Sequence, residues 1–244
     1  MLTLLYRALG AVLAFYYDDV VASYAGAIAL LTVSVMLLTA PFAVKSARAA
    51  AALKALQPQM KAVRSKFADD KARLNKELMA LYRAHGLHPF LGSLVALVPL
   101  PIFYVLYRTI RALSRVIHVH GRIVAAPQYI SHSSRLYKAL LATKGHLPSL
   151  GIDLAKSAFS AHGVVVVVYW AVVGSVLLVQ LAQSRQLRRQ TRSVEGLAGR
   201  VQQLLPWSFV AIAAVMSAAV NIYFVVSGVF RIIQTYAINT HLRL

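Results

Sequence analysis

Histidine is the first residue type here that suggests chemistry, because five histidines fall in or beside one stretch of the chain. They are His118, His120, His132, His146 and His162. A zinc site needs three or four converging ligands, but these side chains are scattered and lack a tight carboxylate partner. The chain has no Cys, which excludes disulfides and thiolate sites. We therefore predict no metal site.

The carboxylates and serines do not suggest an enzyme either. Asp18 and Asp19 are adjacent, as are Asp69 and Asp70, so the side chains of each pair diverge and paired acid–base catalysis is not expected. An intramembrane serine protease would need a histidine in a second apolar segment, and the interiors of those segments contain none. We predict a protein that is not an enzyme and needs no cofactor.

Composition indicates a membrane protein. Of the 244 residues, 59% are hydrophobic, which is more than a soluble domain needs for one core. The 26 Lys and Arg against 7 Asp and Glu would suggest nucleic-acid binding in a soluble protein. Here the basic residues crowd between the apolar runs, which is the positive-inside pattern of a multi-pass protein. We attribute the excess charge to topology and to contact with anionic lipids.

Three uncharged runs are long enough to cross a membrane: Val20–Val44, His88–Tyr107 and His162–Ser184. A fourth, Val201–Phe230, is too long for one span, and two crossings with a turn near Ser217–Asn221 fit it better. The apolar segment Met1–Tyr17 favours an interfacial helix over a signal or a sixth span.

The fold class predicted is an all-α membrane protein with five transmembrane helices and a cytoplasmic antiparallel helical hairpin. Basic loops at 45–87 and 185–200 place the N-terminus outside and the C-terminus in the cytoplasm, in the plasma membrane. The predicted segments are an outer interfacial helix (1–19), spans at 20–44, 88–110, 162–184, 201–218 and 219–239, the hairpin (45–87), an extracytoplasmic loop (111–161), a basic cytoplasmic loop (185–200) and a cytoplasmic tail (240–244).

Amphipathic spacing predicts the hairpin. Leu53, Leu56, Met60, Val63 and Phe67 recur at intervals of three and four, which places them on one helical stripe. Asp69-Asp70 supplies a turn and an N-cap, and Leu74, Leu78 and Leu81 form a second stripe. The basic outer face is either a solvated surface or a docking surface, and spacing alone does not decide between them. Its members are Lys54, Lys61, Arg64, Lys66, Arg73, Lys76 and Arg83.

From about Phe15 to Asn239 the sequence resembles the YidC family of membrane protein insertases. The most specific part is ALQPQMKAVRSKFADDKARLNKELMALYRAHGLHPFLG, residues 55–92. Supporting matches are Pro101-Ile102-Phe103, Gly151-Ile152-Asp153-Leu154 and the closing IYFVVSGVFRIIQTYAIN. The resemblance implies a non-enzymatic insertase whose five helices enclose a polar groove for hydrophobic substrates. It also implies nascent membrane proteins as partners, with the Sec translocon, the signal recognition particle receptor and the ribosome as further ones.

The sequence departs from the family at the groove. The family has an arginine in the first span, five residues before a proline, and Met36 occupies that position here, before Pro41. We expect no Lys or Arg at mid-depth in the following spans to replace it. The groove positions implied by the resemblance are Thr32, Ser34, Met36, Gln180, Asn221, Tyr223 and Phe224.

Two alternatives to an active insertase stay open. Loss of the groove arginine motivates the first, a non-translocating scaffold or assembly factor that keeps the insertase fold. The second is a small-solute transporter, which would show broken helices or an internal repeat, and the sequence has neither. For the Ser and Thr residues of the spans, a hydrogen bond to their own helix backbone is the simpler explanation.

Overall fold

The computed structural model describes residues 2–86, 99–119, 122–190 and 207–242, and this part of the chain is mostly helical. The helices are α1 Leu2–Phe15, α2 Tyr24–Ala55, α3 Gln57–Lys66, α4 Lys71–Ala84, α5 Pro99–Leu113, α6 Arg135–Ala142, α7 Val166–Gln190, α8 at 207–215 and α9 Ala218–Leu242. The short strands are β1 Val116–Val119, β2 Arg122–Ala125, β3 Pro148–Ser149 and β4 Ile152–Asp153.

Three helical segments are long and apolar enough to cross a membrane: Tyr24–Arg48, Gly163–Gln186 and Ala218–Thr240. They overlap three of the five predicted spans. The predicted span at 88–110 lies partly outside the described residues, since α5 begins at Pro99, and the span at 201–218 is described only from residue 207. The chain is therefore a helical membrane protein, while the five-span count stays a prediction.

The chain divides into two compact units. The first contains residues Met1–Met36 and Tyr104–Thr235, and the second contains Leu37–Phe103 and Tyr236–Leu244. Helix α2 does not end where the first apolar run ends but continues as one helix to Ala55. Ala, Lys and Arg fill most of its last three turns, and these residues favour a helix whether or not they are in a membrane.

In the first unit, residues 114–161 form a folded segment between α5 and α7, which we call the connector. Strands β1 and β2 pair antiparallel, with Val116 opposite Ala125, and β3 pairs with β4. Helix α6 begins at the cap Ser134, whose hydroxyl accepts from the Tyr137 amide. The connector has its own apolar core of fully buried side chains, namely Leu136, Leu140, Leu147 and Leu154.

The predicted turn of the fourth apolar run coincides with a break between two helices. Helix α8 ends at residue 215 and α9 begins at Ala218. The amides of Ala218 and Ala219 donate to the carbonyls of Lys156 and Leu154, both at 2.9 Å. The first amides of α9 thus find partners in the connector, which fixes where this helix begins.

In the second unit, α3 and α4 contact each other through their apolar stripes. Leu56 is buried, Met60 and Phe67 are partly buried, and the Tyr82 hydroxyl donates to the Met60 sulfur at 3.7 Å. The Asp70 carboxylate caps α4 by accepting from the Arg73 amide at 2.9 Å. These contacts form the helical pair that the stripes predict, and its position in the cytoplasm stays a prediction.

Candidate functional site

The two hydroxyl groups predicted for the groove on α2 are both bonded within the chain. Thr32 is 1% exposed and donates to the Ile28 carbonyl at 2.7 Å. Ser34 donates to the Leu30 carbonyl at 3.0 Å and also shares a hydrogen bond with the Tyr16 hydroxyl. These bonds lower the cost of a hydroxyl in an apolar helix, so polarity at the two positions does not by itself require a substrate.

Met36 lies one turn beyond Thr32 and is also buried, with 4% of its surface exposed. The neighbouring Leu37 and Leu38 are 58% and 80% exposed, so α2 has an outward apolar face next to the buried one. Met36 therefore faces the protein and not the surroundings, on the face that Thr32 shares.

Gln180 lies on α7 and is partly buried. It is one of four glutamines along this helix, and two of the others contact α9. Gln186 donates to the Ile232 carbonyl at 3.3 Å, and Gln183 lies against Gly228. The sequence analysis selected Gln180 and missed this pair, although Gln183 is three residues from Gln180 and so lies near the same face.

The predicted groove residues on α9 lie at its beginning. Asn221 is 2% exposed and donates through Nδ2 to the Ala213 carbonyl of α8 at 2.9 Å. Tyr223 is 3% exposed, and the ring of Phe224 packs edge-on against Phe209 at 5.9 Å between centroids. Asn221 therefore joins the two helices on either side of the break, which is a structural role.

The predicted groove set divides into two buried groups, one on α2 and one on α9. Thr32 and Met36 form the first group, and Asn221 and Tyr223 form the second. Ser34, Gln180 and Phe224 are partly buried. A continuous groove joining the two groups stays a prediction.

One residue corrects the sequence analysis. We expected no Lys or Arg at mid-depth after the first span, but the segment Ala218–Thr240 contains Arg231 near its middle. The expectation was wrong because it overlooked Arg231, which already lies two residues from the middle of the predicted span 219–239, and α9 continues eleven residues beyond it to Leu242.

The connector holds an ion pair between a histidine and an aspartate. His146 Nδ1 lies 2.6 Å from Asp153 Oδ2, while Asp153 Oδ1 accepts from the amides of Leu147 and Ala155 at 2.9 and 3.0 Å. Burial raises the pKa of Asp153, but these amides and His146 lower that pKa by more, so the net shift is downward. Within the described ranges no group of three His, Asp or Glu residues could hold a metal ion.

A cavity of about 580 Å³ lies beside this ion pair, at the beginning of α7. Asp153, Lys156, His162 and Tyr169 contribute to its lining, and the predicted groove residues do not. The Tyr169 hydroxyl donates to the Asp153 carbonyl at 2.6 Å, which fixes the first turn of α7 against the connector. The cavity is therefore separate from the predicted groove.

The basic residues predicted to dock partners are exposed on α3 and α4. This holds for six of the seven, and the side chain of Lys54 lies outside the described set. Lys66 and Arg73 both lie over the ring of Phe67, at 5.5 and 5.6 Å from its centroid. The exposed six are Lys61, Arg64, Lys66, Arg73, Lys76 and Arg83. A docking role for them stays a prediction.

Comparison with known proteins identifies the class. The family model described as 60Kd inner membrane protein matches residues 15–243, nearly the whole chain. The chain therefore belongs to this family of inner membrane proteins, as the sequence resemblance indicated.

Curated relatives carry the more particular name membrane protein insertase YidC. The protein of Rickettsia bellii is 27% identical over 227 residues, which cover 92% of this chain and 37% of the relative. That of Beijerinckia indica is 35% identical over 141 residues, covering 56% of this chain and 23% of the relative. That of Nitratidesulfovibrio vulgaris is 38% identical over 104 residues, covering 43% and 19%. The chain spans well under half the length of these relatives.

Proposed function

We propose that this chain is a membrane protein insertase or chaperone, which helps hydrophobic segments of nascent proteins insert and fold in the plasma membrane. The observation that carries the proposal is the family match across residues 15–243, which includes all three apolar spans. The relatives that share this region are named as insertases. The proposal places a polar groove between the spans and needs no ATP.

The energetics are compatible with a mechanism that uses no fuel. A charged group at the centre of a bilayer costs about 2.5–3.5 kcal/mol on insertion scales. Burial of the substrate's apolar segment in the membrane is favourable and drives the step. Polar side chains in the spans would lower the cost for the substrate's polar tail, and Thr32, Gln180, Asn221 and Tyr223 are the ones we propose for this role.

Complementation is the direct test. Expression of the full chain should restore growth and membrane insertion in a strain depleted of its insertase. Failure to restore either, with the chain present in the membrane at normal levels, would reject the proposal. We expect Met36→Arg to extend the range of substrates towards those with acidic tails. If the variant and the wild-type chain rescue the depleted strain equally, that expectation is contradicted.

Photocrosslinking tests the groove itself. Crosslinkers at Met36 and Gln180 should capture nascent membrane proteins. Matched controls are Leu38 on α2 and Leu178 on α7, which are 80% and 68% exposed and should capture lipid. Equal capture of nascent chains at all four positions would reject the groove assignment.

A scaffold or assembly factor is the second candidate, and one observation favours it. Thr32, Ser34 and Asn221 all donate to backbone carbonyls of the same chain, so the side-chain donors of three proposed groove residues already have partners. A chain that fails to rescue the depleted strain but co-purifies with a stable partner would establish this alternative.

The partners follow from the insertase proposal. The exposed basic face of α3 and α4 would meet the ribosome, the signal recognition particle receptor or anionic lipids, and the spans would meet the Sec translocon. Long-range attraction between this basic face and an anionic surface weakens as salt rises, because the Debye length is about 8 Å at physiological ionic strength.

A further inference from the structure

Arg231 is a cation near the middle of a long apolar helical segment. It is residue 14 of the 23-residue segment Ala218–Thr240, whose middle is Val229. At about 1.5 Å of rise per residue, its Cα lies about 3 Å from the middle of the segment. An arginine at this depth is costly, and such residues are usually retained for function.

The face of α9 that carries Arg231 is the buried one. Successive residues turn by about 100°, so Arg231 lies about 40° from Ser227 and about 80° from Tyr223. Those two side chains are 5% and 3% exposed, and Tyr223 is the electrostatic neighbour of Arg231. Val229 and Ile233, which are 41% and 62% exposed, lie about 160° from Arg231 on either side. The cation therefore does not point towards the lipid-facing side of its helix.

Close packing fixes this rotation of α9. A Cβ added at Gly228 would clash with the side chain of Val179 and come within 2.6 Å of Gln183 Nε2. One turn further, Gln186 donates to the Ile232 carbonyl. Because α7 holds α9 at both positions, α9 cannot turn Arg231 towards lipid without breaking that contact.

The chain offers Arg231 no carboxylate within the spans. Its seven acidic residues are Asp18, Asp19, Asp69, Asp70, Glu77, Asp153 and Glu195, and none belongs to the three apolar segments. Within the described part of the chain the one ion pair joins His146 and Asp153. A partly buried guanidinium with a phenol beside it still has capacity for an anion, because it carries five donors.

We propose that Arg231 is a specificity-determining residue that pairs with an aspartate or glutamate of a polypeptide passing through the spans. The inference rests on the proposed insertase function and assigns the selective cation to the last span, on a different helix from Met36. Tyr223 and Ser227 lie on the same side of α9, towards its beginning.

Depth favours a polypeptide carboxylate over a lipid phosphate. The hydrocarbon core is about 30 Å thick, so phosphates lie about 15 Å from the midplane. Arg231 lies much closer to the middle of its span than to either end. A long side chain reaches towards the interface, but a phosphate would still have to enter the hydrocarbon to meet it.

The experiment uses the purified full chain in phosphatidylcholine vesicles and two client proteins. Both clients carry the same hydrophobic segment and a short tail, which contains two aspartates in one and asparagines at the same positions in the other. Protection of the tail from added protease measures insertion. The variants are Arg231→Gln and Arg231→Lys, with Arg111→Gln as a control that removes an exposed arginine outside the three spans.

We expect Arg231→Gln to reduce insertion of the aspartate client at least about tenfold, the loss typical of a charge-assisted hydrogen bond. Insertion of the asparagine client should change less than about twofold, Arg231→Lys should retain most activity, and Arg111→Gln should match wild type. An equal loss for both clients would show a structural role and overturn the proposal, as would no loss for either. If the wild-type chain inserts neither client, the proposed function is rejected as well.

A second arm separates lipid from polypeptide. The same assay is repeated in vesicles that contain phosphatidylglycerol. A difference between wild type and Arg231→Gln that appears only with the anionic lipid would identify a lipid phosphate as the partner and overturn the proposal. We expect the same ratio between the two clients in both kinds of vesicle.

Discussion

The connector and the α3–α4 pair are both small folded regions next to membrane helices, but different forces hold them. Directional hydrogen bonds hold the connector to residues far away in the sequence. The Asp18 carboxylate accepts from the amides of Arg135 and Leu136 at 2.9 and 2.8 Å, which makes it an N-cap for α6 from 117 residues upstream. The α3–α4 pair has one apolar stripe per helix, a local cap at Asp70 and a basic surface.

The difference indicates two kinds of stability. A region with a buried core and charge-assisted caps resists opening locally, whereas a two-helix pair with no fully buried side chain beyond Leu56 opens at low cost. We therefore expect the connector to act as a rigid support and the helical pair to adapt its shape. Native-state hydrogen exchange of the full chain in detergent should distinguish the two.

The largest effect should come from the core of the connector. Leu140→Ala removes a side chain that is 0% exposed, and such truncations cost about 2–5 kcal/mol. The opening free energy of residues 135–142, measured by amide exchange, should fall by that amount. Leu141→Ala is the matched control, since Leu141 is 42% exposed and should change the value by less than about 1 kcal/mol. Similar values for the two variants would contradict a packed connector.

The remote cap should have the next largest effect. Asp18→Ala removes both acceptors for the first amides of α6, which should cost about 1–2 kcal/mol in the opening of that helix. Asp19→Ala changes an exposed neighbour and should have little effect. Unchanged exchange at Arg135 and Leu136 in the Asp18 variant would show that the cap contributes nothing in solution.

The local cap of the helical pair should matter less. Asp70→Ala removes the bond to the Arg73 amide and should cost about 0.5–1 kcal/mol, because the exposed first turn of α4 recovers part of the loss through water. Exchange at residues 71–74 should rise, while α6 stays unchanged. A comparable rise with Asp69→Ala would assign the effect to charge and not to capping.

The smallest effect should be a pH dependence in the connector. The pKa of Asp153 is lower in the folded chain than its usual value of 3.8, so its ionised form stabilises the fold above that pH. This contribution should be lost as pH falls from about 4 through the lowered pKa, and solvent screening keeps it modest. In Asp153→Asn, connector exchange should lose this part of its acid sensitivity. An identical pH profile in the variant would remove Asp153 as a source of the dependence.

Sequence periodicity was informative where contacts are local. The spacing of Leu53, Leu56, Met60, Val63 and Phe67 predicted the α3–α4 pair, although Leu53 lies in α2. The length of the last apolar run predicted an interruption close to Ser217. Both features depend on neighbours within a few turns of the same helix, so a local pattern contains them.

The fold of the connector could not be found in that way. A diluted basic stretch at 111–161 suggested only a loop, because its fold depends on partners such as Asp18 that no local pattern reveals. Arg231 could have been found, because it lies inside the predicted span 219–239, but the connector contacts with Leu154 and Lys156 that fix the beginning of α9 could not. The role of the predicted groove residues likewise depends on contacts between helices. The sequence indicated candidate positions but not the groups they contact.

The approach of α1 to the connector has a mechanical consequence. Gly10 packs so tightly on the Tyr129 carbonyl that a Cβ there would overlap it, and Tyr6 stacks on the Tyr129 ring at 5.1 Å. Because the two surfaces fit in one rotational setting only, α1 cannot roll about its axis. The exposed apolar face of α1 therefore keeps one orientation relative to the connector. Its members are Leu4, Leu5, Val12 and Phe15, which are 38–70% exposed.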